Sequence, residues 1–282
     1  MKLVMTLLVR DEEDILKENI DFHLEQGVDF IIATDNCSVD STKEILKAYE
    51  RKGVLHYIYE KEDNYNQHQW VTKMARLASK KYAADWVINN DADEFWYATE
   101  HKSLKEAFLS LEKEYTVVEA ERNNFVALKD MNPNLPFYSQ MIFKEVKSLN
   151  PIGKPLPPKQ AHIGNANIIV KQGNHSVENL DNKKIKQNFI KILHFPIRSH
   201  KQLINKIIHG GAAYERNSEL SKNIGNTWRE LYRQLKQDGN LDNYLINHMY
   251  SKKRLKKELN DDILIQDDFL KNYFMEIYHN DH

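Results

Sequence analysis

The chain has a single cysteine, Cys37, among 282 residues. That excludes a disulfide framework and a cysteine-based zinc site within one chain, and makes a reducing cytoplasm the expected compartment. It has almost no net charge: 40 Lys and Arg face 41 Asp and Glu, a formal -1. There is thus no global pull toward nucleic acid or anionic lipid, and a nucleic-acid partner is not expected. No apolar run approaches the roughly 20 residues of a membrane-spanning helix. Any membrane contact is expected to be peripheral, through the basic run Lys252-Lys253-Arg254-Leu255-Lys256-Lys257; the plainer reading of that run is a solvated helix face. The apolar start, Met1 to Val9, meets Arg10 and four acids with no small-residue cleavage site, so it reads as a first core strand. The sequence shows no internal repeat. At 29% charged residues it does not have the composition of a disordered chain.

What is present centres on Trp86-Val87-Ile88-Asn89-Asn90-Asp91-Ala92-Asp93-Glu94-Phe95-Trp96. Its first half is a short apolar run, the pattern of a buried strand. Three carboxylates follow at once. At the rim of a sheet such charge is costly unless solvent, cations or a metal ion neutralise it, and two aspartates one residue apart can both offer oxygens to Mg²⁺ or Mn²⁺. Alone, Asp-x-Asp should arise by chance on the order of once in a chain this long, and a solvated loop of acids explains it as well.

The rest of the first half adds context. Residues 3–9, 28–34 and 54–59 read as strands, and helices begin near residues 14, 41 and 67. Leu16, Ile20 and Leu24 form an apolar stripe on the first helix, and Gly27 and Gly53 are fitting stops. Ser41-Thr42-Lys43-Glu44 and Ser103-Leu104-Lys105-Glu106 have the capping-box pattern, while Asp40 reads as a helix cap. Strand and helix alternate four times, which implies an α/β fold with a mostly parallel, doubly wound central sheet flanked by helices. The polar clusters at 10–12, 35–40 and 91–94 would then share one edge, where open α/β sheets bind ligands. Further strands are expected at 115–120, 165–170 and 188–195. Six of the seven prolines fall between 133 and 158, in an irregular or functional loop. From Ser199 onward the pattern is helical, with a first helix closed by Gly210-Gly211. The expected layout is a domain over 1–211 and a helical extension over 212–282.

Val9-Arg10-Asp11-Glu12, the turn Asp35-Asn36-Cys37-Ser38-Val39-Asp40 and Asp91-Ala92-Asp93-Glu94-Phe95 resemble, in order and spacing, motifs of the GT-A glycosyltransferases. The resemblance is to the family 2-like group that shades into family 92, and it extends over roughly residues 3–211. Gly173-Asn174-His175 and Leu193-His194-Phe195-Pro196-Ile197-Arg198 are similar to further shared elements. Two positions depart from the pattern: Asp11 stands where Asn is usual, and Cys37 where Gly is usual, in a turn that wants positive φ.

The resemblance implies a Rossmann-like GT-A fold and transfer of a sugar, with inversion, from a nucleotide diphosphate donor to an acceptor hydroxyl. The acceptor would be a glycan or lipid-linked molecule of bacterial surface polysaccharide or glycoconjugate synthesis. It implies Mn²⁺ or Mg²⁺ held by Asp91 and Asp93, the metal acting as Lewis acid on the departing diphosphate. His194 completes that coordination, touches phosphate, or is a hydrogen-bonded histidine at a strand end. Arg198 is placed to contact phosphate. Val9, Arg10, Asp11, Glu12, Asp35, Asn36 and Ala92 complete the nucleotide site, and an acid at Asp35 can accept the imide N–H of uracil, which favours a UDP-sugar. For the general base the candidates are His175, Glu178 and Glu94. A metal-dependent phosphoesterase and a non-catalytic nucleotide-sugar binder are the rival readings. In phosphatases of the Asp-x-Asp type the pair follows strand one, not strand four.

Overall fold

The computed structural model describes residues 1–64, 66–149, 154–181, 183–218, 221 and 224–280. These form two compact units, one of residues 1–122 with 156–193, the other of residues 123–155 with 194–282. That grouping differs from a 1–211 and 212–282 layout because residues 123–155 pair with strands near the C-terminus, as described below.

The first unit is built on β1 (Leu3–Val9), α1 (Leu16–Glu25), β2 (Phe30–Asn36), α2 (Thr42–Arg51), β3 (Leu55–Glu60), α3 (Gln67–Tyr82), β4 (Trp86–Asp91), β5 (Glu94–Ala98), α4 (Leu104–Leu109) and β6 (Val117–Asn124). Strands Lys159–Ile163 and Lys184–His194 complete an eight-stranded sheet. Its order is β3-β2-β1-β4, then Lys159–Ile163, β6, Lys184–His194 and β5. The first four strands are parallel, and Lys159–Ile163 runs antiparallel to both β4 and β6. Leu3, Val4, Met5 and Leu7 of β1 are wholly buried, as a strand covered on both faces requires. One face packs on α3, where Val71, Met74, Ala75 and Ala78 meet Val4, Ile32 and Val87. In the order 3-2-1-4 the chain reverses direction of growth between β1 and β4, and that switch point is where such sheets open a crevice at their carboxyl edge.

Some local expectations are corrected. Ser41 makes no side-chain cap; Asp40 Oδ1 instead accepts the Thr42 N–H at 2.9 Å, and Glu13 Oε2 accepts that of Ser41 at 3.0 Å. Ser103 does cap α4, accepting the Glu106 N–H. The strand expected at 165–170 shrinks to Ile169–Val170, paired with Val177–Glu178.

In the second unit, Ala127–Leu128 pairs with Met249–Tyr250 and Phe143–Glu145 with Leu264–Gln266. Part of the Pro-rich stretch, 150–153, lies outside the described residues. Gly210 and Gly211 do not close a helix. The chain passes through them as a wide π turn, Ile207–Gly211, and continues helical to Arg216. A Cβ on Gly210 would lie 2.7 Å from the Trp228 ring and one on Gly211 2.5 Å from the Tyr232 Cβ, so both admit the close approach of the helix Asn226–Asp238. The basic run lies on helix Lys252–Asn260, with Lys253, Lys256 and Lys257 exposed. No described helix is long and apolar enough to cross a membrane.

Two buried histidines set a pH limit on the first unit. His23 Nδ1 donates to the Asn19 carbonyl at 2.7 Å and Nε2 accepts the Trp96 N–H at 3.1 Å, tying α1 to β5. His162 lies in strand Lys159–Ile163 with Nδ1 on the Ile163 carbonyl at 2.8 Å. Burial pushes both down from 6.5 to about 4. Each is neutral when folded and gains a proton on unfolding, so its contribution is full above pH 6.5 and is lost between pH 6.5 and 4. In urea titrations over that range, stability should fall by about 1.4 kcal/mol per pH unit for each histidine beyond the carboxylate background. His23→Gln should flatten the slope by one such increment; an unchanged slope would refute the assignment.

Candidate functional site

The sheet brings three polar tips to one edge. Val9 of β1 is in register with Asp35 of β2, and Leu8 with Asp91 of β4. One strand separates Asp35 from Asp91, so their backbones lie on the order of 10 Å apart. Tyr59 of β3 sits beside Asp35 and is 56% exposed.

At the β1–β2 side, the Asp35 carboxylate accepts the Ser38 N–H at 3.0 Å and the Tyr57 hydroxyl at 3.1 Å. Asn36 clamps the chain after β3 by donating to the Glu60 and Glu62 carbonyls. Cys37 takes φ +60 itself, so the turn keeps its left-handed residue without glycine. Its Sγ lies 3.4 Å from the Glu60 carbonyl. Asp11, also left-handed at φ +54, accepts the Val39 N–H at 2.7 Å and donates its own N–H to Ser38 Oγ. Arg10 bonds Asp63 at 2.5 Å and lies 3.9 Å from Asp11. The Glu12 carbonyl receives the N–H groups of Ile15 and Leu16 and so starts α1, while its own N–H donates to Thr42 Oγ1. The Val9 side chain is buried, which leaves only its backbone for a ligand.

At the β4 side, Ala92 and Asp93 alone join β4 to β5. Asn19 of α1 shapes this turn: its Nδ2 donates to the Ala92 and Glu94 carbonyls at 2.9 and 2.8 Å, and its Oδ1 accepts from Asn90. The Lys159 ammonium lies between the carboxylates. It bonds Asp91 Oδ2 and stands 3.2 Å from Glu94 Oε1. Arg122 approaches the same Glu94 oxygen at 3.5 Å. On the far side of Asp91, Oδ1 accepts from Asn174 Nδ2 at 3.1 Å and Gln67 Nε2 at 3.5 Å. Gln67 Oε1 is committed to the Gly173 N–H, which fixes the amide with its donor toward Asp91. Glu94 is wholly buried, and burial, opposed by Lys159, raises its pKa to about 7. Asp93 is 6% exposed.

The structure thus joins Gly173-Asn174-His175 to the acidic turn. Gly173 has φ +75, and a Cβ there would lie 2.7 Å from the His175 ring. His175 Nδ1 donates to the Pro158 carbonyl at 2.9 Å; burial, helped by the Lys159 charge, lowers its pKa to about 4. It is therefore neutral near pH 7, with Nε2 unprotonated. Glu178 is different: it is exposed and pairs with Lys171 at 2.8 Å, and no described contact links it to the turn. His194 and Arg198 belong to the second unit. His194 Nδ1 meets Asn124 Oδ1 at 2.7 Å, and Arg198, 3% exposed, donates to the Phe195 carbonyl.

The model of glycosyltransferase family 92 matches residues 5–257. The chain belongs to that family. Among solved structures, this family 92 chain is similar to S. aureus TarS 1–349 in complex with UDP, at 13% identity and TM-score 0.43 over 84% of this chain and 72% of that one. The same TarS fragment with UDP-GlcNAc gives 12%, 0.44, 84% and 73%. Glucosyl-3-phosphoglycerate synthase from Mycobacterium tuberculosis, in complex with Mn²⁺, UDP and phosphoglyceric acid, gives 17% and 0.32 over 43% of each chain. No curated protein matches the chain.

The divalent cation implied by the family resemblance does not fit the acidic turn as this family 92 chain arranges it. Both Asp91 oxygens face N–H donors, and among the described residues no three His, Cys, Asp or Glu side chains gather as a ligand set. The Lys159 ammonium, bonded to Asp91 Oδ2 and 3.2 Å from Glu94 Oε1, already occupies the point at which a cation would bridge these two acids. Of the residues that decide this, Lys159, Arg122, Asn19 and Gln67 carry no motif, while Asn174 stands in the Gly173-Asn174-His175 element. Asn19 left one trace, a polar residue on the apolar stripe of α1.

Lys159→Met strands Asp91 and Glu94 without their shared cation and should cost about 3–5 kcal/mol in urea denaturation. Adding Glu94→Gln should recover part of that loss. Strictly additive losses in the double variant would contradict the cluster.

Proposed function

We propose that this family 92 chain transfers a sugar from a UDP-sugar to the hydroxyl of a glycan or lipid-linked acceptor, by a single inverting displacement. One observation carries the reading: Asp35, Asp11 and the Asp91–Glu94 turn meet at the carboxyl edge of the sheet, at its switch point. Asp35 is wholly buried, and each of its oxygens keeps a lone pair beyond its one present bond; a uracil imide N–H reaching that pair would be accepted, whereas cytosine would present a lone pair there instead. The exposed Tyr59 ring on the adjacent strand suits a base face.

In the reaction, the bond from the sugar C1 to the diphosphate oxygen breaks with its electron pair, the acceptor oxygen bonds C1, and a base takes the acceptor proton. Glu94 and His175, which both feel the Lys159 charge, are the groups we assign to that side of the chemistry. Exposed Lys253, Lys256 and Lys257 suit loose contact with an anionic membrane surface that carries the acceptor. The internal pairing of Asp91 favours one second reading, a nucleotide-sugar binder without turnover, which product formation from UDP-sugars would separate.

A thermal-shift comparison of UDP, CDP and GDP tests the donor. UDP should stabilise most, by about 2.7 kcal/mol at a hundredfold excess over Kd. Asp35→Ala should abolish the preference for UDP over CDP. Equal shifts with both pyrimidine nucleotides in the wild type would rule the uracil contact out.

A further inference from the structure

We propose that Lys159 takes the place of a divalent cation in this transferase: its ammonium, carried on a central strand, is the positive group that meets the donor diphosphate. The inference rests on the UDP-sugar reading. It starts from where two carboxylates converge. Asp91, at the end of β4, and Glu94, at the start of β5, are the acids an Asp-x-Asp-Glu turn would offer to a metal. The point they share is filled by Lys159 Nζ, with the whole residue 2% exposed.

That placement is fixed by the sheet. Ala161, two residues on, pairs with Ile88 of β4, and Lys159 itself pairs with Ala120 of β6. Arg122, two residues further along β6, brings a second cation to Glu94 and anchors Nη2 on the Pro157 carbonyl at 3.0 Å. The cluster is also incomplete in a telling way. Glu94 Oε2 and Arg122 Nε are buried with no hydrogen-bond partner among the described residues. Two cations with spare donors therefore stand at the ligand edge of the sheet, beside Asp91, Glu94 and the neutral His175.

A diphosphate oxygen entering here can accept from Lys159 and Arg122 in charge-assisted bonds. As the C1–O bond breaks, the electron pair passes to the leaving diphosphate. An ammonium N–H of Lys159 hydrogen-bonds to that oxygen and keeps its proton. The acceptor proton goes to the base, so charge and atoms balance with no further reactant. Stabilisation then comes from a preorganised group aimed where negative charge develops.

The test is UDP binding by calorimetry in EDTA and in excess MnCl₂. The wild type should bind in both buffers with affinities within about threefold of each other. In EDTA, Lys159→Met should weaken binding roughly tenfold or more, the worth of one charge-assisted hydrogen bond. Mn²⁺ should restore part of that loss, because Asp91 is then free to ligate. Lys159→Arg keeps the charge and should still bind in EDTA; should Lys159→Met fail to fold, this variant and the wild type decide. Wild-type binding that appears only with Mn²⁺ would overturn the inference and leave the transferase reading intact. No UDP binding in either buffer would defeat that reading itself.

Discussion

One ammonium between two carboxylates organises the ligand edge of this sheet. Asp91 and Glu94 are forced close because only Ala92 and Asp93 separate β4 from β5. Left alone, two such acids at the rim of a hydrophobic sheet would be expensive to desolvate. Lys159 resolves this, and it does so from a strand that enters antiparallel to β4. Much of what surrounds the cluster serves to hold it: Asn19 fixes the carbonyls of the turn, Gln67 and Asn174 saturate the far oxygen of Asp91, and Gly173 lets His175 lie close. Buried polar side chains such as Asn19 and Asn90 therefore stand at otherwise core positions beside the turn, where Asn90 donates to Asn19 and Asn19 to the turn's carbonyls.

The parallel half of the fold was legible because each of its strands is a short apolar run between helices with a period near 3.6. Residues 3–9 and 86–90 read as strands from their apolar runs alone. In the antiparallel half, the strands expected at 115–120 and 188–195 are present as β6 and Lys184–His194, while Lys159–Ile163 and β5 were not legible. Strand Lys159–Ile163 has five residues, begins with a lysine and follows two prolines, so neither alternation nor an apolar run marks it. β5 begins with a buried glutamate. Their places are set by pairing across the sheet, and tertiary context overrides local propensity there. The acidic site was legible for the same reason that its partner was not: carboxylates one and three positions apart are visible in a line of text, whereas the Lys159–Asp91 pair spans 68 positions.

The turn after β2 shows how a departure from a family pattern can be absorbed. A non-glycine residue in the left-handed region costs roughly 1–2 kcal/mol. Cys37 accepts that conformation because the turn is fixed on both sides. Asp35 holds the Ser38 N–H, and Asn36 holds the chain beyond β3. Asp11 meets the same demand across the turn with its own positive φ and a bond to the Val39 N–H. Asp11 and Cys37 thus both hold left-handed conformations at this edge without glycine.

A site that is internally neutralised has consequences for what a donor gains by binding. A phosphate entering beside Lys159 and Arg122 can use donors those side chains have left over, but it also meets the negative charge of Asp91 and Glu94. Part of the attraction is therefore offset. Selectivity among donors must then come from the other end of the ligand. Asp35 and Tyr57, held in place before a nucleotide arrives, and the exposed Tyr59 are the groups positioned to supply them. The carboxylate–ammonium cluster would contribute where it matters more to a transferase, at the moment the diphosphate gains charge, since only an interaction that strengthens in the transition state raises the rate.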